Sequence, residues 1–257
     1  MRITLIGAGN LATNLAKALK TNGHDIVEIW SRTEESARTL SNVAGCSFSF
    51  GDIDIKPGSD IYIISVKDSV LEQTAARFIP VSPESIWCHT AGTMSVDILS
   101  SKGAKHIGVF YPMQTFSKTK EVDFSKIPIF IEAKEKEAEV LNALKELACS
   151  VSQKVFELDS EGRRSLHLAA VFACNFANHC YSISESLLAE RGIPFSVMLP
   201  LVEETSEKVH IMSPKEAQTG PAIRHDHNVM NRQREMLADK PELQHIYDIL
   251  SHSIENL

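Results

Sequence analysis

Residues 2–12 read RITLIGAGNLA, an apolar strand pattern that runs directly into the spacing Gly-x-Gly-x-x-Ala and then into a helical pattern. Gly7 permits the tight turn that ends the strand, and Gly9 leaves the backbone and the helix N-terminus open to a close approach. The small Ala12 lets the helix pack close to the strand. A strand, a glycine turn and a helix in this order predict an anion-binding loop at the start of a parallel sheet.

This context makes the loop a dinucleotide-binding signature, because helix N-terminal amides hold the pyrophosphate of such cofactors. The spacing alone is a weak signal, and a tight turn in a fold that has lost its ligand is the alternative. The predicted cofactor contacts are Gly7, Gly9, Asn10, Leu11 and Ala12 in the loop, with Ser65 and Val66 at the carboxyl end of a later buried strand.

Strand and helix patterns alternate up to about residue 156. Strands are expected at 2–6, 26–30, 61–66, 85–89, 106–111, 128–132 and 151–156, and helices at 10–22, 33–43, 68–79 and 134–148. This alternation predicts an α/β fold with a doubly wound, Rossmann-like parallel sheet.

The pattern changes to helical throughout from Asp159. Helices are expected at 160–190, 195–211, 214–219, 227–238 and from Pro241 onward. We therefore expect a dinucleotide-binding Rossmann domain over 1–157 and an all-α substrate and dimerisation domain over 158–257. The helix expected at 160–190 is apolar over a wide arc, which needs cover on several sides. Its cover is either the core of the helical domain or a second subunit, and we expect a homodimer.

Composition excludes several classes of protein. The net charge of −7 and the lack of a long Lys/Arg run argue against a nucleic-acid partner. The apolar runs are too short for a membrane span, and the strand at the N-terminus indicates that no signal peptide precedes it. The five cysteines, odd in number and without a Cys-x-x-Cys pair, indicate reduced thiols in a cytoplasmic protein. His225-x-His227 lacks the further ligands that a metal site needs, so no metal is expected.

The tip of the second strand indicates which nicotinamide cofactor binds. In NAD-selective domains an acidic residue at this tip holds the ribose hydroxyls, but Glu28 lies too early in the strand to reach it. The tip itself offers Ser31, Arg32 and Thr33, and the guanidinium suits a 2′-phosphate. The alternative is a capping box between Ser31 and Glu34 with a solvated Arg32. We expect NADP(H).

Six ordered segments together resemble a known family. The N-terminal half resembles the NADP-binding domains of ketopantoate reductase, pyrroline-5-carboxylate reductase and the 6-phosphogluconate dehydrogenase superfamily. The whole chain is similar to Rossmann-like NADP oxidoreductases with an uncharacterised C-terminal helical domain. The segments that carry the resemblance are residues 7–12 (GAGNLA), 65–68 (SVKD), 89–92 (HTAG), 111–116 (YPMQTF), 167–176 (HLAAVFACNF) and 219–221 (TGP) with Arg224 and Asp226. The resemblance implies fold and cofactor more firmly than reaction.

The chain departs from that family at two positions. The family commonly has His where this chain has Tyr111, and Gly where it has His225. Hydroxyacid dehydrogenases of the superfamily place a catalytic Lys on the helix that corresponds to 160–192, and this stretch contains no Lys. The resemblance therefore argues against that reaction, unless His167 replaces the Lys.

Candidate proton donors follow the strands and the long helix. His89 comes directly after a strand. It is either a general acid, because an unperturbed imidazole has a pKa near neutrality, or it caps the next helix together with Thr90. On the long helix His167, Asn175 and Asn178 lie within an arc of about 80° at about 100° per residue. They face either the cleft or a dimer core. His167 and Asn175 are predicted catalytic residues, but His89 is preferred as the donor.

Candidate substrate-binding residues lie on two other segments. Gln114 and Thr115 follow a strand and offer amide and hydroxyl groups, although a plain loop is the alternative. Arg224 suits a substrate carboxylate, with Asp226 orienting it, although Arg-x-Asp pairs also occur as surface ion pairs. The leading hypothesis is an NADPH-dependent reductase of a small, anionic carbonyl or imine compound. The alternative is a non-catalytic NADP-binding regulatory or assembly protein.

Overall fold

The computed structural model describes residues 1–134 and 137–257. Its first part is an eight-stranded sheet in the order β3-β2-β1-β4-β5-β6-β7-β8. The strands are β1 (Arg2–Ile6), β2 (Asp25–Ser31), β3 (Ser47–Phe50), β4 (Ile61–Ile64), β5 (Ile86–His89), β6 (His106–Pro112), β7 (Ile129–Ala133) and β8 (Val155–Glu157). Neighbouring strands pair in parallel except β6 and β7, which pair antiparallel. The predicted fold class is confirmed, with one reversed step in the sheet.

The reversal between β6 and β7 has a topological cause. Parallel neighbours need a crossover connection, usually a helix, that carries the chain back to the same end of the sheet. Residues 113–128 contain only a 3₁₀ turn at Phe124–Lys126, so the chain leaves β6 and re-enters the sheet in the opposite direction. The sequence pattern predicts a strand at this place but does not reveal its direction.

Helices cover both faces of the sheet. They are α1 (Asn10–Thr21), α2 (Glu34–Ala44), α3 (Asp68–Phe78), the short α4 (Asp97–Ser100) and α5 (Ala138–Val151). One core cluster joins Leu5 of β1 to Leu15 of α1 and Leu144 of α5. A second joins Ile64 of β4 to Leu71 of α3. This two-sided burial is the packing expected of a doubly wound sheet. The helix predicted at 134–148 begins at Ala138, and residues 135–136 of that prediction lie outside the described residues.

The long helix predicted at 160–190 contains three segments. They are α6 (Ser160–Ala170), a π-helical segment (Val171–Phe176) and α7 (Ala177–Ala189). The chain forms two compact units, Met1–Ala177 and Asn178–Leu257. The domain boundary predicted at 157/158 coincides with the end of the last strand, β8. The boundary between the two compact units lies later, at 177/178, so that α6 and the π segment belong to the first unit.

The second unit is helical. After α7 it contains α8 (Leu199–Lys208), α9 (His227–Glu235) and α10 (Pro241–Glu255), with a 3₁₀ turn before α8. The helix predicted at 214–219 was wrong, since this stretch forms turns. The short strand β3 was also missed by the sequence analysis. Within the described residues, no helix combines the length and the apolarity needed to cross a membrane.

Candidate functional site

The turn after β1 requires glycine at its first position. Gly7 has φ +121°, in the left-handed region, and its amide donates to the carbonyl of Trp30 at 2.8 Å. A Cβ at this position would overlap the carbonyl oxygen of Ser65 and lie 3.4 Å from the side chain of Val66. Ser65 in turn donates its amide to the carbonyl of Ile6 at 2.7 Å. The ends of β1 and β4 therefore meet at the glycine turn.

The second glycine leaves an open cradle at the N-terminus of α1. Gly9 is the N-cap residue, and a Cβ there would meet nothing within 4 Å. Gly9 and Asn10 are exposed, whereas Ala12 is fully buried against the sheet. No acidic residue stands in the first turn. Exposed amides, the positive end of the helix and empty space together fit an anionic group such as a pyrophosphate.

The loop after β6 is tied to the same helix. The Asn10 side-chain amide donates to the carbonyl of Phe116 at 2.9 Å, and that of buried Asn14 donates to the carbonyl of Ser117 at 3.0 Å. These bonds hold residues 116–117 beside the first turns of α1. Gln114 and Thr115 come just before them and are exposed, with the Gln114 side-chain oxygen accepting the Thr115 amide at 2.8 Å.

The tip of β2 presents the residues expected to select the cofactor. Ser31 is buried at the end of the strand, and Arg32 and Thr33 are exposed beyond it. Thr33, not Ser31, is the N-cap residue of α2, so the alternative capping box with Ser31 does not form. The Glu28 carboxylate is buried and accepts the backbone amide of Lys56 at 2.7 Å. The exposed tip therefore carries the Arg32 cation and the Thr33 hydroxyl, while the Glu28 carboxylate is used inside the fold.

His89 is enclosed by the loop that follows β5. Its side chain is fully buried, and its Nδ1 accepts the Ala91 amide at 3.1 Å, which puts the proton on Nε2. The Nε2 hydrogen then bonds the Ser95 carbonyl at 3.3 Å. Burial, together with the nearby charge of Arg163, lowers the pKa of His89 to about 4. The imidazole is therefore neutral at physiological pH, and both of its nitrogens form hydrogen bonds with the backbone of the loop.

A second imidazole meets a phenol at the same sheet edge. The Tyr111 hydroxyl lies 3.0 Å from Nδ1 of His167, joining the end of β6 to α6. Tyr111 is buried, and His167 is half-buried. Gly92 packs against both rings, since a Cβ there would lie 2.5 Å from Nδ1 of His167 and 3.1 Å from Cζ of Tyr111. Burial raises the pKa of Tyr111 above its ordinary value, so the phenol keeps its proton near neutrality.

The sequence analysis missed a buried ion pair, Arg163–Glu132, which is bonded to the loop that packs against Tyr111 and His167. The fully buried guanidinium of Arg163 bonds the Glu132 carboxylate on β7 and the carbonyls of Ala91 and Met94 in the loop after β5. The Glu132 carboxylate also accepts the amide and the hydroxyl of Ser160, at 3.0 and 2.9 Å. The one available signal was Glu132 itself, an acidic residue inside the apolar strand pattern at 129–133.

The remaining candidates lie on the helices. Asn175 is exposed within the π-helical segment, a kind of segment that often occurs at functional sites. In the second unit Arg224 is exposed, and the Asp226 carboxylate caps α9 by accepting the Val229 amide at 3.2 Å. Asp226 thus has a local structural task besides the expected one of orienting Arg224.

The departure at His225 has a visible backbone consequence. His225 has φ +52°, the conformation that glycine adopts most easily and that costs other residues strain. Its Nδ1 lies 3.8 Å from the Glu255 carboxylate, and Nδ1 of His227 lies 3.5 Å from the same oxygen. Across the described ranges, no group of three or more His, Cys, Asp or Glu side chains is placed to hold a metal ion.

Comparisons with known proteins agree with this architecture. Residues 2–87 match the family described as "NADP oxidoreductase coenzyme F420-dependent", and residues 127–254 match the family described as "Domain of unknown function (DUF2520)". Among curated proteins the comparison finds no match.

Three solved structures show the similarity over the full chain. The "putative NADP oxidoreductase" of Bacteroides fragilis is 48% identical with a TM-score of 0.93, and the match covers 100% of this chain and 98% of that one. An imine reductase from Myxococcus stipitatus, solved with NADP⁺, has a TM-score of 0.69 at 14% identity and coverages of 100% and 93%. A 1-pyrroline-5-carboxylate reductase from Streptococcus pyogenes has a TM-score of 0.65 at 15% identity and coverages of 100% and 99%.

The two distant matches show the fold alone, whereas the Bacteroides match shows the family. The chain therefore belongs to the NADP oxidoreductases in which a Rossmann-like N-terminal half is followed by a DUF2520 helical half.

Proposed function

We propose that this oxidoreductase uses NADPH to reduce a small carbonyl or imine compound. The observation that carries the proposal is the pairing of Tyr111 with His167 at the carboxyl end of the strands, the edge that also carries the glycine turn. In an open α/β sheet this edge is where ligands bind. The imine reductase and the pyrroline-5-carboxylate reductase, which share the fold, are named for reactions of this class.

The residues at the strand ends fit NADP. Gly7 and Gly9 leave room for a pyrophosphate at the first turn of α1, and Ser65 lies against this turn. The exposed guanidinium of Arg32 suits the 2′-phosphate, with Ser31 and Thr33 supplying hydroxyls. Asn10, Leu11 and Val66 complete the proposed cofactor contacts, whereas Ala12, a contact expected from the sequence, is fully buried and packs α1 against the sheet. When bound, the reduced nicotinamide supplies the hydride.

His167 is the proposed proton donor. Reduction adds a hydride to the substrate carbon and needs one proton at the oxygen or nitrogen, and the protonated imidazole gives that proton from Nε2 and becomes neutral. Tyr111 holds Nδ1 and so fixes the orientation of the ring. His89, the donor preferred from the sequence, is enclosed and uses both ring nitrogens, so we assign it to the shape of the loop. Asn175 is proposed to contact the substrate from the π segment.

The anionic nature of the substrate stays part of the proposal. Exposed Gln114 and Thr115 follow the strand that carries Tyr111, and they offer an amide and hydroxyl for a polar substrate. Arg224, assisted by Asp226, is proposed to bind a substrate carboxylate in a bidentate manner.

We also propose a cytoplasmic homodimer. All five cysteines are free thiols, which fits a reducing compartment. In the first unit Phe172 and Phe176 are 64% and 50% exposed, and in the second unit Ile211 and Met236 are 80% and 73% exposed. Large apolar side chains exposed in such number are typical of a protein-protein interface, and a second copy of the chain is the proposed partner.

The function is tested by following the loss of NADPH with a panel of small carbonyl and imine compounds. We expect turnover by the wild type, and a fall in kcat of about 10²- to 10⁴-fold in His167→Gln with NADPH affinity unchanged. The matched control is His106→Gln, because His106 is an exposed imidazole at the opposite end of β6. NADPH binding without turnover across the whole panel would replace this proposal with the non-catalytic regulatory or assembly role.

A further inference from the structure

The two imidazoles beside Glu255 and the buried Arg163 are groups that the proposed reaction does not use directly. Arg163 has the largest number of specific contacts. Its side chain is fully buried, and its guanidinium bonds the Ala91 carbonyl at 3.2 Å, the Ser160 hydroxyl at 3.2 Å, the Met94 carbonyl and the Glu132 carboxylate. A buried charge is retained only where such partners compensate its desolvation.

We propose that Arg163 is a positioning residue for the Tyr111–His167 pair, acting through the loop after β5 and through α6. This inference rests on the proposed function, in which the pair delivers the proton. The two loop carbonyls that Arg163 holds, those of Ala91 and Met94, lie on either side of Gly92 in the chain.

The geometry links both sides of the pair to one guanidinium. Gly92, in the loop after β5, packs so closely against the rings of Tyr111 and His167 that no space is left for a Cβ atom. A shift of the loop toward α6 would therefore push on the imidazole, and a shift away would leave it unsupported. His167 follows Arg163 by four residues on α6, so the two side chains share one face of the helix. Arg163 thus fixes both the loop that packs against the two rings and the part of α6 that carries His167.

Glu132 anchors this arrangement to the sheet. Its carboxylate accepts the Arg163 guanidinium and both the amide and the hydroxyl of Ser160, the first residue of α6. The Ser160 hydroxyl also accepts the amide of Val96 at 3.2 Å, which adds a second tie between α6 and the loop. A planar guanidinium with five donors can serve these divergent partners together, whereas an ammonium group on a flexible stem cannot hold them in the same geometry.

The electrostatic effect of Arg163 supports this position. Its charge lowers the pKa of His89 and opposes the burial that raises the pKa of Tyr111. Arg163 therefore lies close enough to act on the loop histidine and on the phenol of the pair. Removing the residue should change the hydrogen bonding of the pair, not only the stability of the fold.

The test uses a charge-neutral double variant, Arg163→Met with Glu132→Leu. Removing one partner would strand a buried charge, but replacing both with apolar residues of similar size is often tolerated. The matched control is Arg164→Met, the adjacent and exposed arginine on α6. Ser160→Ala is a milder variant that removes the hydroxyl contacts and keeps the ion pair.

The first readout is the ring tautomer of His167, measured by ¹⁵N NMR. The His167 signal is assigned by its absence in His167→Gln, and the measurement does not depend on turnover. In the wild type and in Arg164→Met we expect one fixed tautomer. In the double variant we expect averaging between two tautomers. We also expect a kcat roughly 10-fold lower than that of the wild type, with unchanged KM and an NADPH affinity within roughly 2-fold of the wild-type value. Ser160→Ala should show a partial shift in the same direction.

A double variant that melts cooperatively and keeps both the fixed tautomer and the wild-type kcat would overturn the proposal. If the double variant does not fold, an unchanged tautomer and an unchanged kcat in Ser160→Ala would overturn it equally. If the wild type shows no turnover, the proposed function fails by itself, and the NMR readout still decides whether Arg163 positions the pair.

Discussion

Tyr111 and His167 are 56 residues apart in the chain, yet the phenol oxygen lies 3.0 Å from Nδ1 of the imidazole. Tyr111 ends a central strand, and His167 lies on the helix that follows the last strand. The contact brings a hydroxyl and an imidazole to the carboxyl edge of the sheet, the edge that also carries the glycine turn. This contact is the basis of the proposal that His167 delivers the proton.

Gly92→Ala should disrupt this contact. The added methyl group would lie 2.5 Å from Nδ1 of His167, so the imidazole or the loop must move. We expect loss of the fixed His167 tautomer in ¹⁵N NMR and a stability loss of about 1–3 kcal/mol from overpacking. The matched comparison is Gly9→Ala, where the methyl group meets nothing within 4 Å, and the His167 signal should not change there. An intact His167 signal in Gly92→Ala would show that the loop absorbs the methyl group without moving the pair.

Arg32→Ala should weaken the binding of NADPH selectively. A direct contact with the 2′-phosphate is worth about 1.5–3 kcal/mol, which corresponds to about 10- to 150-fold in affinity. Calorimetric titration should show that NADH binding changes little. Arg38→Ala is the control, because this exposed arginine on α2 pairs with Glu34 in the helix itself. Equal affinities of the wild type for NADPH and NADH would contradict the assignment of Arg32.

His89 should make the fold sensitive to acid. Its pKa is about 4 in the folded protein, against 6.5 for an unperturbed imidazole. The unfolded chain therefore binds more protons between these values, so stability is complete above about pH 6.5 and falls as the pH approaches 4. The loss from this residue is about 3 kcal/mol by linkage.

Urea unfolding of the wild type and of His89→Gln at several pH values tests this expectation. The variant starts less stable, since it loses the buried ring, but its stability should fall less steeply between pH 6.5 and 4. His24, whose pKa is also lowered by burial, is present in both proteins and cancels in the difference. Parallel pH profiles for the two proteins would show that the His89 imidazole is not the neutral, enclosed group described above.

Phe176→Glu and Ala173→Glu should dissociate the proposed homodimer. Both residues lie exposed in the π-helical segment, and a carboxylate placed in an apolar interface must be desolvated without a partner. Light scattering should report twice the chain mass of 28.4 kDa for the wild type and the single mass for the variants. Val70→Glu, at an exposed position of α3, should leave the mass unchanged. A wild type that is monomeric at micromolar concentration would rule out this interface.

Local patterns were enough to predict the glycine turn, the β2 tip and most of the alternation of strands and helices. Each depends on residues close together in the chain: a left-handed Gly7, an open position at Gly9, and Arg32 placed directly beyond a buried strand. Backbone sterics and hydrophobic periodicity act over this short range, so the sequence alone determines them. The edge strand β3 was missed because its four residues, SFSF, lack the continuous apolar run that marks the equally short β4, IYII.

The Tyr111–His167 contact, the enclosure of His89 and the Arg163–Glu132 ion pair were decided by the tertiary structure alone. The sequence analysis took both His89 and His167 as candidate proton donors and preferred His89, because His89 directly follows a strand end. Packing separates them, because the loop after β5 consumes both nitrogens of one ring while the other ring meets a phenol from a distant strand. A side chain's burial and partners depend on residues brought together by the fold, and no local pattern encodes which of two imidazoles will be enclosed.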